Sequence, residues 1–237
     1  MKKHFNEIII IISVSLLIFP LLFFQHINKI TDVNSYKLTD KPTIIIDAGH
    51  GGEDGGAVSV TGTLEKDLNL KIAKKLNAFL TSAGYRTKMT RENDRLVLND
   101  SDQYSKHLDL QNRVDIFNSS QNNIAISIHQ NKFTESQYYG TQIFYSANNE
   151  KSEILAENIK NSVVNLLQND NTRECKKAGS EILVLNKSSV PTVLVECGFL
   201  SNETEAKLLE DEEYQNKIAY SIFLGILEFE NTKIRND

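Results

Sequence analysis

Short β-branched runs alternate with amphipathic helical stretches over most of this chain, and that alternation limits the fold more than any single residue does. Residues 43–47 read as a buried strand. Over 65–83 the apolar positions Leu68, Ile72, Ala73, Leu76, Phe79 and Leu80 recur at helical spacing, and Gly84 supplies the stop. Further strands are predicted over 85–90, 124–128, 141–145, 181–185 and 193–196. Further helices are predicted over 108–119, with Leu110, Val114 and Phe117 on one face, over 152–167, and over 212–229. Asn202 with Glu205 reads as a capping box for one more helix. The expected fold is α/β, a three-layer sandwich with a central, largely parallel mixed sheet of about six strands flanked by helices.

Residues 1–25 read as an amino-terminal membrane anchor or signal segment. Lys2 and Lys3 precede the uncharged run 8–24, which falls between the apolar core of a signal peptide and the ~20 residues of a spanning helix. No small-residue cleavage site follows, so an uncleaved anchor is favoured and the rest of the chain is expected outside the cytoplasm. Residues 26–41 read as a linker and 42–237 as one catalytic domain. The net charge of −5, with lysines interleaved among acids, excludes a nucleic-acid partner because no basic stripe is available for phosphates. Cys175 and Cys197 fall in different predicted elements, and nothing in the sequence sets their separation; Cys197 reads as a small buried hydrophobe.

The chemistry concentrates in four places: residues 47–52 (Asp-Ala-Gly-His-Gly-Gly), Glu65, residues 127–131 (Ser-Ile-His-Gln-Asn) and residues 195–198 (Val-Glu-Cys-Gly). Three of these lie at or just past the carboxyl end of a predicted strand, the edge where open α/β sheets bind ligands. Glu65 opens the first helix and points back to that edge. A hydrolytic zinc takes three protein ligands, two histidines and a glutamate being one known set. It also needs a separate carboxylate to take the proton of the attacking water. His50, Glu65 and His129 suit the ligand roles, and Glu196 suits the base. Taken singly, each has a plainer reading: a surface histidine, a helix-start acid, a strand-edge histidine. Glu196 is the hardest to dismiss, since a carboxylate ending the apolar run 193–195 needs a partner.

Together the segments resemble the zinc N-acetylmuramoyl-L-alanine amidases of the bacterial cell wall. That family carries an Asp-x-Gly-His-Gly-Gly loop, a Glu opening the first helix, a Ser-x-His-x-Asn strand end and a Val-Glu-x-Gly-Phe-x-Ser-Asn segment. Here these fall on residues 47–52, Glu65, 127–131 and 195–202, and Thr90-Arg91 with Asp94 is similar to a further motif. The resemblance implies one Zn2+ per chain on His50, Glu65 and His129, with Glu196 as the catalytic carboxylate. Asn131 and Arg91 follow as substrate-binding or supporting residues, Arg91 more as a brace for the loop. Ala48 departs from the proline common at its position. Residues 95–109 form a polar insertion whose His107 reads as surface.

A bare catalytic domain behind one amino-terminal segment is most similar to the spore-cortex, germination-specific members. Those strip peptide from muramic acid so that the cortex lactam can form. The expected setting is then extracytoplasmic, membrane-anchored or secreted, in the space between forespore and mother-cell membranes. The expected partners are peptidoglycan and the membrane through the amino-terminal segment, with an accessory exported lipoprotein left open. Residues 132–140 are too few for the helix that plugs the zinc site in some family members, which implies an open site. The alternatives are a vegetative amidase of wall turnover or cell separation, a zinc peptidase or deacetylase of peptidoglycan, and a non-catalytic wall-binding module.

Overall fold

The computed structural model of the chain describes residues 41–99 and 102–236, with side chains as far as Thr232. The expected anchor and all but the last residue of the linker lie outside the described residues. The compact unit begins at Pro42. No helix among the described residues is long and apolar enough to cross a membrane.

The elements run β1 (Thr43–Ala48), α1 (Glu65–Ser82), β2 (Arg86–Met89), α2 (Lys106–Phe117), β3 (Asn123–Asn131), β4 (Gln142–Tyr145), α3 (Lys151–Leu166), β5 (Lys176–Lys177), α4 (Leu183–Asn186), β6 (Thr192–Phe199), α5 (Glu203–Glu210) and α6 (Glu212–Asn236). The six strands form one sheet in the order β2-β1-β3-β6-β4-β5. The first four are parallel neighbours, and β4 runs antiparallel to β6. Strands buried on both faces must be apolar at nearly every position. β1 and β3 obey: Ile44, Ile45, Ile46, Ile124, Ala125 and Ile126 are all out of solvent.

Alternation of side chains sorts these residues into two layers of core. Ile44, Ile46, Ile126, Val193 and Val195 pack with Leu68, Ile72 and Leu76 of α1, Leu155 and Ile159 of α3, and Ile218 and Ile222 of α6. Ile45, Ala125 and Leu194 face the other way, against Val114 and Phe117 of α2 and Val184 and Leu185 of α4. Burial of each such aliphatic side chain contributes roughly 1.5–3 kcal/mol before entropy is counted. The expected three-layer α/β sandwich is the observed architecture.

Two local expectations are corrected. The run 181–185 is no strand: it ends in the single helical turn α4, and the sixth strand is Lys176–Lys177 at the sheet edge. A short apolar run has no period by which strand and buried helix can be told apart, and here Val184 and Leu185 are buried against Val114 and Phe117 of α2 from a helical turn. Asn202 does cap α5, accepting from Thr204 N and Glu205 N. Glu205, however, does not reach back to it; its carboxylate accepts from Gly140 N at 2.9 Å and Phe199 N at 2.8 Å. Cys175 and Cys197 are both unpaired, and Cys197 is buried.

Helices α3 and α6 approach closely at Gly225, where an added Cβ would lie 2.4 Å from Ile159 Cα. Backbone cannot yield as a side chain can, so Gly225→Ala should force the two helices apart. A loss of about 1–3 kcal/mol in denaturant unfolding is expected. An unchanged midpoint would show that the helices separate without cost.

Candidate metal centre

The carboxyl ends of β1, β3 and β6 converge on one edge of the sheet, and the loop after β1 is bent sharply over it. His50 sits in that loop at φ 61°, in the left-handed region, followed by Gly51 at 139° and Gly52 at 55°. A histidine there costs on the order of 1–3 kcal/mol and persists only where its surroundings hold it.

Two arginines do the holding. Arg113 donates to Asp47 Oδ1 at 2.6 Å, Ala48 O at 2.8 Å and His50 O at 2.8 Å, and its Nε to Asp109 Oδ2 at 2.8 Å. Arg91 donates to Ala48 O at 2.9 Å, Gly49 O at 3.0 Å and Lys66 O at 2.8 Å. Both are among the largest fully buried side chains. Asp47 also accepts from Thr90 Oγ1 at 2.7 Å and Ser127 Oγ at 2.5 Å. Burial by itself would raise the Asp47 carboxyl, but Arg113, the two hydroxyls and His129 outweigh it and hold the group below the usual carboxylate range.

Glu65, the first residue of α1, is buried and receives both histidines. Its Oε2 lies 3.2 Å from His50 Nε2, and its Oε1 lies 3.0 Å from His129 Nδ1. Ala57 N and Gln130 N donate to the same two oxygens at 2.9 and 3.1 Å. Asn69, one turn along α1, donates to Gly49 O at 3.1 Å and accepts from Gln130 Nε2 at 3.1 Å. Burial opposes ionisation of Glu65, yet His129 and His50 carry its pKa far below the normal value. For His50, burial acts downward first, and Glu65 and Asp54 more than reverse it. Two imidazole nitrogens on one carboxylate are held together by shared protons or by a cation.

The fit to a metal ion can be judged from the residues themselves. His50, Glu65 and His129 offer one ligand atom each within 4.8 Å of one another. The donors are two imidazoles and a carboxylate, a set suited to zinc. His50 Nδ1 meets Asp54 Oδ2 at 2.9 Å, and since a carboxylate can only accept, Nδ1 carries the proton and Nε2 faces Glu65. A Cβ on Gly49 would lie 2.2 Å from His129 Nε2, so only glycine leaves room for that ring. The residues fit.

Glu196 stands apart from this set. It pairs in register with His129 across β3 and β6. Its Oε2 is out of solvent and has no hydrogen-bond partner among the described residues. Burial raises its pKa to about 7; His129 and His50 pull it down and Glu65 adds to the rise. A cleft of about 160 Å³ opens beside the cluster, lined by His50, Asp54, Lys106, Leu110, His129 and Ile182 among others. Residues 132–140 contain no helix that could cover it.

The four candidate residues are thus brought together. Arg91 lies behind the loop, its guanidinium spent on backbone carbonyls. Asn131 ends β3 opposite Phe199, its carbonyl accepting from Leu200 N at 2.7 Å. His107 is exposed, but the same polar insertion ends in the buried Asp109. Sequence reasoning missed Asp54, Asn69, Asp109 and Arg113. A signal existed for the last two: spaced i, i+4 and flanking Leu110 and Val114, they carry an ion pair along the stripe that faces the core.

Comparison with known proteins agrees with this geometry. Residues 44–228 match the family described as N-acetylmuramoyl-L-alanine amidase. The germination-specific N-acetylmuramoyl-L-alanine amidase of Bacillus subtilis is 37% identical over 221 residues, 90% of this chain and 92% of that protein. Among solved structures, the CwlD amidase from Clostridioides difficile, determined in complex with the GerS lipoprotein, is similar at a TM-score of 0.76. It shares 40% identity, covering 81% of this chain and 100% of that one. The catalytic domain of CwlV, an amidase from Bacillus (Paenibacillus) polymyxa, is similar at 0.68 with 30% identity, covering 80% of this chain and 98% of that one.

Two outcomes are expected from the supports. Breaking the buried pair with Arg113→Met strands Asp47 and should cost about 3–5 kcal/mol in denaturant unfolding. Because folding depresses the Asp47 pKa, its contribution is complete above the unfolded value near ~3.9 and is lost as pH falls toward the folded one. The variant should therefore lose part of the wild type's acid sensitivity. Asp54→Asn should weaken metal affinity by about 10- to 100-fold in chelator competition, with the fold unchanged; unaltered affinity would remove Asp54 from the site.

Proposed function

Because the chain belongs to the N-acetylmuramoyl-L-alanine amidase family, we propose that it is the spore-cortex form of that enzyme, with His50, Glu65 and His129 holding one zinc ion per chain and Glu196 as its catalytic carboxylate. As an amidase it hydrolyses the bond between the lactyl group of muramic acid and the L-alanine that begins the stem peptide of peptidoglycan. The observation that carries the assignment of roles is a contrast at one strand edge: Glu65 is saturated by two histidines, while Glu196 beside them keeps a buried oxygen without a partner.

Zinc, when bound, supplies polarisation of the scissile carbonyl and acidification of the attacking water. The chain's own residues do the rest. Asp54 holds the Nδ1 proton of His50 and so fixes which nitrogen faces inward. Arg91 and Arg113 keep the loop in its bent form. Glu196 takes a proton on Oε2 as water adds to the lactyl carbon. It returns that proton to the L-alanine nitrogen as the carbon–nitrogen bond breaks. A carboxylate poised near pH 7 can do both. The open cleft admits a polymer, and Asn131, two residues past His129, is the neighbouring polar residue of this reading.

The relatives support the proposed setting. A germination-specific relative supports action on cortex peptidoglycan, outside the cytoplasm, in the space around the forespore. The solved complex of a similar amidase with a lipoprotein supports an exported lipoprotein as accessory partner. Attachment through residues 1–25 completes the proposal.

The test uses the full-length chain with purified cortex peptidoglycan and mass spectrometry of the products. Free stem peptides beginning with L-alanine, peptide-less muramic acid and about one zinc per chain are expected. Glu196→Gln should keep zinc and lower kcat by about 10²- to 10⁴-fold. Loss of zinc together with activity would sink the base assignment, and shortened peptides left on the glycan would indicate a peptidase.

A further inference from the structure

Gln142, the first residue of β4, registers with Glu196 on β6, and paired strands of this kind stand about 5 Å apart. One strand beyond Glu196 from the histidines, Gln142 borders a second hollow of about 410 Å³. Tyr139, Asp170, Arg173, Glu174 and Lys176 also line it.

Arg173 is built into the wall of this hollow. Its guanidinium carbon lies 4.5 Å from the centre of the Phe199 ring and 5.9 Å from that of Tyr138. Its Nε donates to Tyr139 O at 2.7 Å. The rings are themselves fixed: Phe133 packs edge-on against Tyr138 and Phe199, each at 5.1 Å. Glu205 pins the backbone at Gly140 and Phe199 through the two hydrogen bonds described above. Cation–π contact and one hydrogen bond thus hold the guanidinium in place. Its two Nη atoms have no hydrogen-bond or ion-pair partner among the described residues.

A planar fork held in place with both Nη groups free matches a carboxylate bidentately. Asp170 and Glu174 share the hollow with Arg173 and Lys176, and the charge of Arg173 also acts on the buried Glu205, so recognition there must come from the geometry of the fork rather than from a diffuse positive field. From the scissile bond, the α-carboxyl of the second stem residue lies two residues along, at most ~7 Å. That reach spans the strand spacing from Glu196 to Gln142, which borders the hollow that Arg173 lines. Resting on the amidase reading above, we propose that Arg173 is a specificity-determining residue that binds a free carboxylate on the second residue of the stem peptide.

The experiment measures kcat/KM of the full-length chain on glycan oligomers whose stem begins L-Ala-D-Glu, with the glutamyl α-carboxyl either free or amidated. Wild type should prefer the free acid by about 10- to 100-fold, through KM. Arg173→Gln and Arg173→Lys should both bring that ratio toward one, the lysine because it cannot form the fork. Circular dichroism and zinc content would verify that the variants fold. A wild type that cuts both stems equally overturns the inference while leaving the amidase intact, and needs no variant. Variants that lose activity on both stems in the same proportion, with the ratio unchanged, also overturn it, since Arg173 would then only support the aromatic wall. If wild type frees the stem from neither substrate, the amidase reading fails and the inference falls with it.

Discussion

Two buried guanidinium groups facing three consecutive carbonyls, those of Ala48, Gly49 and His50, are the constraint on which the rest of the site depends. A loop leaving a parallel strand would ordinarily turn its carbonyls to solvent. Here they turn inward, because Arg91 and Arg113 are the donors waiting beneath. That inversion places His50 in a left-handed conformation and brings Gly49 under the ring of His129. Burial lowers the pKa of Arg91, and the neighbouring Arg113 lowers it further, so the pair is not stable of itself. Asp47 and Asp109 make it tenable by supplying buried negative charge on the Arg113 side. The cost of desolvating four charges is offset only because nearly every donor finds an acceptor.

Two glutamates of the same chemical type then acquire opposite characters from their surroundings. Glu65 meets two imidazoles and two backbone amides and is held far below the ordinary carboxylate range. Glu196, across the strand pair, is buried with one oxygen unpartnered among the described residues and is raised to about 7. One environment makes a permanent anion, fit to share a cation with two histidines; the other makes a group that can gain and lose a proton near neutrality. The division comes from position on the sheet, since both side chains could ligate in a less differentiated site.

The fold was largely legible because its signals are local. Apolar spacing in 65–83 and the β-branched runs near 43 and 124 each announce an element without reference to any other. The misread stretch, 181–185, is the one where the local signal is silent: five residues can be strand or turn, and packing against α2 chose the turn. The same holds for Glu205. A capping box is a short-range pattern, but two unpaired amides, at Gly140 and Phe199, lay within reach of its carboxylate and drew it away.

By itself the sequence determined the fold class and the sheet edge at which the chemistry gathers, and its resemblance to a known family singled out the four residues that meet there. It could do so because strand ends, helix starts and dispersed motifs are ordered along the chain. Only the tertiary structure decided which side chains support those four. Asn69 and Arg113 act on partners 20 and 66 residues away, Asp109 acts on an arginine whose role was itself unknown, and Asp54 meets His50 only once the loop has bent. The Arg173 fork likewise exists only because Phe199 and the adjacent pair Tyr138 and Tyr139 are carried to it by two other segments. Hydrogen bonds and ring stacking depend on distances of a few ångströms between atoms, and no spacing along a chain specifies these until the sheet has closed.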